Sequence, residues 1–329
     1  MDKSIARINE AADLVLVGYH GAENGAELER LCGLVGVPLS YGNQPGVLNF
    51  SDAGAGKVIA SFAEVFAPYF ARGEVCLDLQ ADSADLLELL AAVGATVRGR
   101  VVGVVGAQGG AGVSTVAANL ARQLAEAGAC GLIDLNPASA GIDLRLAIST
   151  VPGKRWADLR GRGAILAGRL VQALPEWHGV RVLSADERAS VPLELGARAI
   201  SAVAQIADWT VLDLSPSATV PETVQNSWLE WCDLVLLVTR SDAVSLAEAA
   251  VAIGRLAAET PFVIVATAVS SRAEAAHISQ TLGGCRVFPL RRERSAREDL
   301  DHGVAPGDRT RTRYARDLAA ITAHCQQVP

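Results

Sequence analysis

The chain has 329 residues, of which half are hydrophobic and a fifth are charged, and its formal net charge is −7. This length suits two domains and this composition is that of a folded globular protein, while the negative charge disfavours broad nucleic-acid binding. The six cysteines form no C-x-x-C pair, the first residues lack a signal peptide, and no apolar run reaches the roughly 20 residues that span a bilayer, so we expect a cytoplasmic protein.

Residues 1–98 alternate strand-like and helix-like segments, which favours a small α/β domain with a parallel sheet. The predicted strands are "DLVLVGY", "GVLNF" and "GEVCLDL", and the predicted helices are "AELERLCGLVG", "GKVIASFAEVFAPYF" and "SADLLELLAAVG". A phospho-receiver domain has this layout, but it needs clustered acids at strand ends to hold magnesium. The first strand is followed by no acidic pair and the second offers only Asp52. We therefore interpret residues 1–98 as a degenerate, receiver-like domain that is not phosphorylated.

Residues 99–329, beyond a boundary near Gly94–Arg100, repeat this alternation on a larger scale. Their predicted strands are short, continuous apolar runs, as expected for strands buried on both faces: "VVGVVG", "CGLIDL", "VRVLSA", "WTVLDLS", "DLVLLVT" and "FVIVATA". Helices are predicted at Ser114–Glu126, Val191–Ile206 and Ser245–Ala258. The predicted fold class is therefore α/β, with a doubly wound, mostly parallel sheet preceded by the smaller domain. In such sheets ligands bind at the carboxyl ends of the strands.

The stretch "VVGVVGAQGGAGVSTVAANLARQLAEAG", Val101 to Gly128, has the pattern of a phosphate-binding loop between a strand and a helix. In the standard loop, G-x-x-x-x-G-K-[ST], backbone N–H groups and the helix N-terminus face phosphate, the lysine neutralises it, and the hydroxyl binds magnesium. Here Val113 replaces that lysine and Ser114 keeps the hydroxyl. The predicted nucleotide-binding residues are Gln108, Gly109, Gly110, Ala111, Gly112, Val113, Ser114 and Thr115.

Four segments resemble the MinD/ParA group of deviant Walker ATPases, and more closely the actinobacterial CpaE-like septum site-determining proteins of the TadZ/CpaE branch. They are "GRVVGVVGAQGGAGVSTVAANLA", "LIDLNPASAGIDLRLAI", "VPGKRWADL" and "LVQALPEWHGVRVLSAD". The resemblance covers residues 99 to about 270 and implies a P-loop NTPase fold of the MinD type, behind a degenerate receiver-like domain. These ATPases carry a signature lysine near the start of the loop that reaches across a dimer interface. Gln108 stands at that position.

Further positions follow from the resemblance one at a time. Asp134 and Asn136 match a D-x-D motif whose second acid helps to hold magnesium and the attacking water. An amide at Asn136 can orient water but supplies neither charge nor a base. Asp213 matches the acid that binds magnesium through water, which makes Ser114 and Asp213 the predicted metal residues. In "FVIVATAVSSR", Thr267 follows an alanine where relatives place an asparagine that reads adenine.

ATP and magnesium are the cofactors that the resemblance implies, but the loop has lost both of its cations. One missing donor beside the transferred phosphate costs about 3–4 kcal/mol of transition-state stabilisation, a loss of roughly a hundredfold to a thousandfold. Arg145 and Arg155, in the segments after the second strand of this domain, are the candidates to replace a lysine. We expect a pseudo-ATPase with weak or no hydrolysis, and nucleotide binding stays open.

The resemblance implies a regulatory or localisation protein for septum site determination or for positioning a pilus or secretion apparatus. Two alternatives stay open: an active ATP-dependent dimerisation switch and a nucleotide-free interaction scaffold. The implied partners are proteins at the pole, septum or secretion apparatus, together with a second copy in a homodimer.

The C-terminal segment carries an apolar face made by Tyr314, Leu318, Ile321 and Cys325. We expect this face to pack on its own domain, with at most peripheral membrane association. The charged stretch Leu290–Gly303 mixes both signs and is interpreted as a solvated helix or loop.

Overall fold

A computed structural model describes residues 15–42, 44–63, 73–94, 98–159, 165–256, 260–292 and 312–327. The chain divides into two compact units. The first comprises Met1–Gly99 with Arg160–Ala173 and Ser201–Ile206, and the second comprises the remaining residues. A domain boundary near residue 98 remains a proposal, since the first unit also takes in these two later segments.

The first unit contains a five-stranded sheet within the described residues. Its strands are β1 (Val17–Tyr19), β2 (Leu39–Tyr41), β3 (Leu48–Asp52), β4 (Lys57–Phe62) and β5 (Glu74–Asp78), and its helices include α1 (Gly25–Val35) and α2 (Ser83–Gly94). The order β2-β1-β3-β4-β5 is that of flavodoxin-like sheets. However, β4 runs antiparallel to both β3 and β5, so the expectation of a wholly parallel sheet is wrong for this part.

The helix predicted over "GKVIASFAEVFAPYF" is also wrong where the structure describes it, because Lys57–Phe62 is strand β4. A hairpin turn brings this segment back beside β3, with Lys57 N donating to Gly54 O at 3.0 Å. Val58 and Ala60 are buried while Ile59 is only half-buried, which is the period-two alternation of a strand. Residues 64–70 of the predicted helix lie outside the described part of the chain.

The second unit contains an eight-stranded sheet within the described residues, which is parallel except for its last strand pair. Its strands are β6 (Arg100–Gly106), β7 (Cys130–Leu135), β8 (Glu176–Trp177), β9 (Val180–Leu183), β10 (Trp209–Leu214), β11 (Leu234–Arg240), β12 (Phe262–Thr267) and β13 (Val287–Leu290). The order is β13-β12-β11-β6-β10-β7-β9-β8. The six predicted strands and the α/β fold class are confirmed, and the short strands β8 and β13 were not predicted.

The remaining described helices are α3 (Val113–Leu124), α4 (Ile142–Arg145), α5 (Ala167–Ala173), α6 (Gly196–Ala204), α7 (Val224–Ser227), α8 (Ala243–Leu256), α9 (Arg272–Thr281) and α10 (Arg313–Gln327). The predicted helix Val191–Ile206 is a short 3-10 turn followed by α6. Helix α3 packs on β6, β7 and β10, so the loop before it is fixed at the middle of the sheet.

Helix α10 packs against the second unit through its apolar face, as the sequence predicted. All four residues of that face are buried in the main core cluster together with residues of α3. Thr322 Oγ1 also donates to Gln123 Oε1 on α3 at 2.7 Å. Among the described residues, no helix has both the length and the apolar character needed to cross a membrane. Residues 293–303 of the charged stretch lie outside the described part.

Candidate nucleotide-binding site

The conformation of the loop between β6 and α3 depends on two glycines. The loop leaves the carboxyl end of β6, which lies between β10 and β11 in the sheet. Gly110 and Gly112 adopt left-handed conformations with φ of 78° and 95°, which side-chain-bearing residues rarely adopt. A Cβ atom at either position would meet nothing within 4 Å, so both glycines border open space. The glycines therefore serve the backbone conformation and not close packing.

Val113 contributes packing to this loop and no charge. Its half-buried side chain contacts the main apolar core. Its Cγ2 also lies close to the end of β6, 2.9 Å from the point where a Cβ on Gly106 would sit. The position that carries the loop lysine in the standard motif thus anchors α3 to the strand.

Gln108 is tied to its own chain. Its Nε2 donates to Oγ of the fully buried Ser245 at 2.5 Å, and Ser245 Oγ donates to Asp242 Oδ2 at 2.7 Å. Arg240 Nε lies 3.3 Å from the same carboxylate oxygen. These hydrogen bonds and the ion pair connect the loop to the start of α8. The sequence predicted the helix but not this connection. The rule that parallel strands place ligands at their carboxyl ends points to Arg240, the last residue of β11.

Asp134 and Asp213 lie side by side, because β7 and β10 pair in parallel register with these two residues opposite each other. They are 0% and 1% exposed. Burial, and next the charge of Asp134, raise the pKa of Asp213 to about 7, while Ser114 and Arg145 act in the opposite direction. Among the described residues, Oδ2 of Asp213 has no hydrogen-bond partner. This arrangement leaves a buried carboxylate oxygen available to a cation.

The carboxylate of Asp134 has hydrogen-bond donors for both of its oxygens, unlike that of Asp213. Its carboxylate accepts backbone N–H groups of Asn136 and Ile142, each at 3.1 Å. Burial nevertheless raises its pKa above the ordinary value. The side chain of Asn136 accepts from Ala138 N at 3.1 Å, so it holds its own turn.

Arg155 does not supply the missing cation. Its Nε lies 2.8 Å from Asp143 Oδ2 in a buried ion pair, and its Nη2 donates to Ile148 O at 3.0 Å. It therefore fixes the segment after β7. Arg145 is exposed on α4, and its charge lowers the pKa of Asp213, so it is the remaining candidate of the two.

A cavity of about 460 Å³ adjoins the loop. One wall is formed by the loop and the first turn of α3, and the other by residues at the ends of β11, β12 and β13 and by Tyr314. Thr267 lines this cavity, and its hydroxyl donates to Ala111 O at 3.0 Å and Thr239 O at 3.2 Å. That hydroxyl supports the loop from the side of β12.

No family model matches the chain. Two uncharacterized proteins of Mycobacterium tuberculosis, Rv3660c of strain H37Rv and MT3760 of strain CDC 1551, are each 34% identical to it over 212 residues. The match covers 62% of this chain, and the chain spans only 58% of the length of these curated relatives.

Several solved structures share the fold. A ParA family ATPase from Chlorobium tepidum has a TM-score of 0.58 at 18% identity, covering 69% of this chain and 98% of its own. An Aquifex aeolicus MinC:MinD cell division complex gives 0.55 at 16% identity, covering 69% and 95%. The Pyrococcus horikoshii septum site-determining protein MinD with Mg-ADP gives 0.53 at 16%, covering 69% and 96%. The chain thus has the α/β fold of the ParA and MinD ATPases.

Proposed function

We propose that this protein is a positioning or regulatory protein of the MinD/ParA type that binds ATP with magnesium and hydrolyses it weakly or not at all. The observation that carries the proposal is a glycine loop that borders open space, close to Asp213, a buried carboxylate with one oxygen that has no described hydrogen-bond partner, together with a valine at the lysine position. Binding groups are present, whereas the charge that supports phosphoryl transfer is missing.

The residues present fit a magnesium nucleotide. Backbone N–H groups of residues 109–115 and the N-terminus of α3 would hold the phosphates, and Ser114 and Asp213 would hold Mg²⁺. Among the described residues, no group of three or more His, Cys, Asp or Glu side chains could hold a metal. Magnesium at this site would therefore take its remaining ligands from phosphate and water, as it commonly does in nucleotide sites. When bound, it would neutralise charge on the phosphates and on Asp213.

Weak hydrolysis follows from three positions together. Val113 packs in the core, Gln108 is bound to Ser245, and Asn136 holds its own turn. None of them supplies a cation or a carboxylate at the reacting phosphate, so roughly a hundredfold or greater loss of rate is expected for each missing donor.

The proposed cellular role and partners rest on the sequence segments that resemble the CpaE/TadZ branch. We propose a cytoplasmic protein, recruited to the septum, the pole or a secretion apparatus by a protein partner and acting as a homodimer. The solved MinC:MinD complex and the Pyrococcus horikoshii protein with Mg-ADP show relatives of this fold with a protein partner and with nucleotide.

A thermal melt with and without about 1 mM Mg-ATP tests nucleotide binding. With a Kd of about 10 μM the ligand would add roughly 2.7 kcal/mol, which raises Tm by about 5–10 °C. Gly112→Ala should lose the shift because its φ of 95° is strained by a side chain. Gly254→Ala is the matched control, since a Cβ there also meets nothing within 4 Å but lies on α8.

Two outcomes would replace the proposal. A flat melt at several millimolar Mg-ATP would leave the nucleotide-free scaffold. Magnesium-dependent turnover that Asp213→Ala abolishes would instead show an ATP-dependent switch.

A further inference from the structure

The cavity beside the loop has two walls that both attract anions. On one side lie Gly110, Gly112 and Thr115, where the N-terminus of α3 presents its backbone N–H groups. On the other side lie Arg240 at the end of β11 and Arg291 with Arg292 just after β13. A ligand in this cavity would therefore meet positive charge from both sets of residues.

Two of these arginines form ion pairs with carboxylates that do not line the cavity, Arg240 in an exposed pair and Arg291 in a hydrogen-bonded one. Asp242 holds Arg240 and is itself bound by Ser245. Asp317 on α10 accepts from Arg291 Nε at 2.7 Å and from its backbone N at 3.0 Å. The described residues that line the cavity include neither carboxylate and no other acid. Three arginines paired with two carboxylates leave one positive charge on this wall, that of Arg292, while Arg240 and Arg291 add guanidinium N–H donors.

The rest of the lining suits the body of a nucleoside. Val116, Leu290 and Ala268 provide apolar surface, and Tyr314 provides an aromatic ring. The volume of about 460 Å³ lies in the range of small-molecule pockets. The Thr267 hydroxyl already donates to two backbone carbonyls. The arginine side chains are therefore the groups that would distinguish one ligand from another.

We infer that this cavity binds a mononucleotide with phosphate at both ends, on the 5′ carbon and on the 2′ or 3′ oxygen of the ribose. The inference rests on the proposed nucleotide binding at the loop and adds a second site for an anion. ATP would satisfy the loop alone and leave the arginines facing an uncharged ribose and base. Arginine recognises phosphate through paired, charge-assisted hydrogen bonds, and it accommodates ribose 2′-phosphate in dinucleotide-binding folds.

Calorimetric titration of the full chain with matched ligands tests the inference. The probes are AMP, adenosine 2′,5′-bisphosphate and adenosine 3′,5′-bisphosphate, with Mg-ADP titrated separately to test the loop. We expect one bisphosphate to bind roughly tenfold to a hundredfold more tightly than AMP. The double variant Arg240→Gln/Arg292→Gln should lose this advantage and keep the affinity for Mg-ADP. Arg255→Gln is the control, because Arg255 is an exposed arginine of α8 that does not line the cavity.

The outcomes separate this inference from the proposed function. If Mg-ADP binds and both bisphosphates bind only as tightly as AMP, the second anion site is wrong and the proposed function stands. A bisphosphate that binds where Mg-ADP does not would support the site and contradict ATP binding. An equal loss for AMP and bisphosphate in the double variant would show that the arginines stack on the base, which also overturns the inference. If none of the four ligands binds, both proposals fail.

Discussion

Asp52 in the first unit and Asp213 in the second both lie in the last two residues of a strand, yet their surroundings are opposite. Asp52 accepts hydrogen bonds from Tyr19 Oη at 2.7 Å, Asn24 Nδ2 at 2.8 Å, Ala22 N at 2.7 Å and Glu23 N at 2.9 Å. The Tyr19 hydrogen bond is the main cause of its lowered pKa. Asp213 is buried beside another acid, one of its oxygens has no described partner, and its pKa is raised to about 7.

The difference between these two acids supports the ligand site proposed in the second unit. All the hydrogen bonds to Asp52 come from its own unit, so the carboxylate is used in holding β1, β3 and the loop before α1 together. The carboxylate of Asp213 has a side-chain hydrogen bond with Ser114, but its Oδ2 has no described partner and it carries the cost of burial. An acid retained at such a cost, next to a bare glycine loop, is the pattern of a binding site.

The largest expected effect comes from removing the partner of a third acid, Asp143. Arg155→Ala would leave this carboxylate buried without its ion pair, which costs about 3–5 kcal/mol. Urea unfolding measures the loss. The double variant Asp143→Leu/Arg155→Met should recover most of it, because no charge then remains buried. A loss below about 1 kcal/mol for Arg155→Ala would contradict the assigned role of the pair.

Asp213→Asn should stabilise the protein by an amount that grows as pH rises from about 4 to about 7 and is complete above that window. An unfolded aspartate ionises near pH 4, whereas folded Asp213 holds its proton up to about pH 7. The folded state therefore binds more protons across this window, and its stability falls as pH rises through it. We expect the variant to gain about 2–4 kcal/mol over the wild type at about pH 8 and almost nothing at about pH 4. Denaturant unfolding of both proteins at the two pH values measures this difference. An equal gain in the free energy of unfolding at both pH values would show that Asp213 does not titrate between them.

Asp52→Asn should have the opposite sign. The pKa of Asp52 is lower in the folded than in the unfolded state, so its ionised form stabilises the fold at any pH above the unfolded pKa. This contribution is lost as pH falls from the unfolded pKa through the folded pKa. An amide cannot accept all four donors, so we expect the first unit to lose about 1–3 kcal/mol at neutral pH. The protection of the backbone amides of β1 and β3 against hydrogen exchange measures the stability of the first unit separately from the second. Unchanged protection there would show that the network is not stabilising.

Val113→Lys should strengthen ATP binding by about tenfold, since one charge-assisted hydrogen bond to phosphate outweighs the packing lost. Val113→Met is the matched control, with a long side chain and no charge. Direct titration with Mg-ATP measures both variants. Equal affinities for the lysine and methionine variants would mean that the loop does not admit phosphate.

The second unit was predictable because strands buried on both faces appear as continuous apolar runs, as in β6, β7 and β10. The glycine-dependent loop between β6 and α3 was predictable for a similar reason, since Gly110 and Gly112 lie only two residues apart in the sequence. Lys57–Phe62 was assigned to a helix because its apolar residues fit both the helical and the strand period. The pairing of this segment with β3 decides between the two, and the pattern within the segment does not show that pairing. The adjacency of Asp134 and Asp213 depends on β10 lying between β6 and β7, an order that no local pattern specifies. Ser245 and Asp317 act through partners that are distant in sequence.

The most direct test is equilibrium dialysis of the wild-type protein against labelled ATP and magnesium well above the expected Kd, followed by identification of the nucleotide on the protein side. The account predicts about one ATP per chain, still intact after many minutes. ADP that replaces most of the ATP within minutes and whose formation requires Asp213 would contradict weak or absent hydrolysis. No bound nucleotide at concentrations well above millimolar would contradict nucleotide binding at the loop itself.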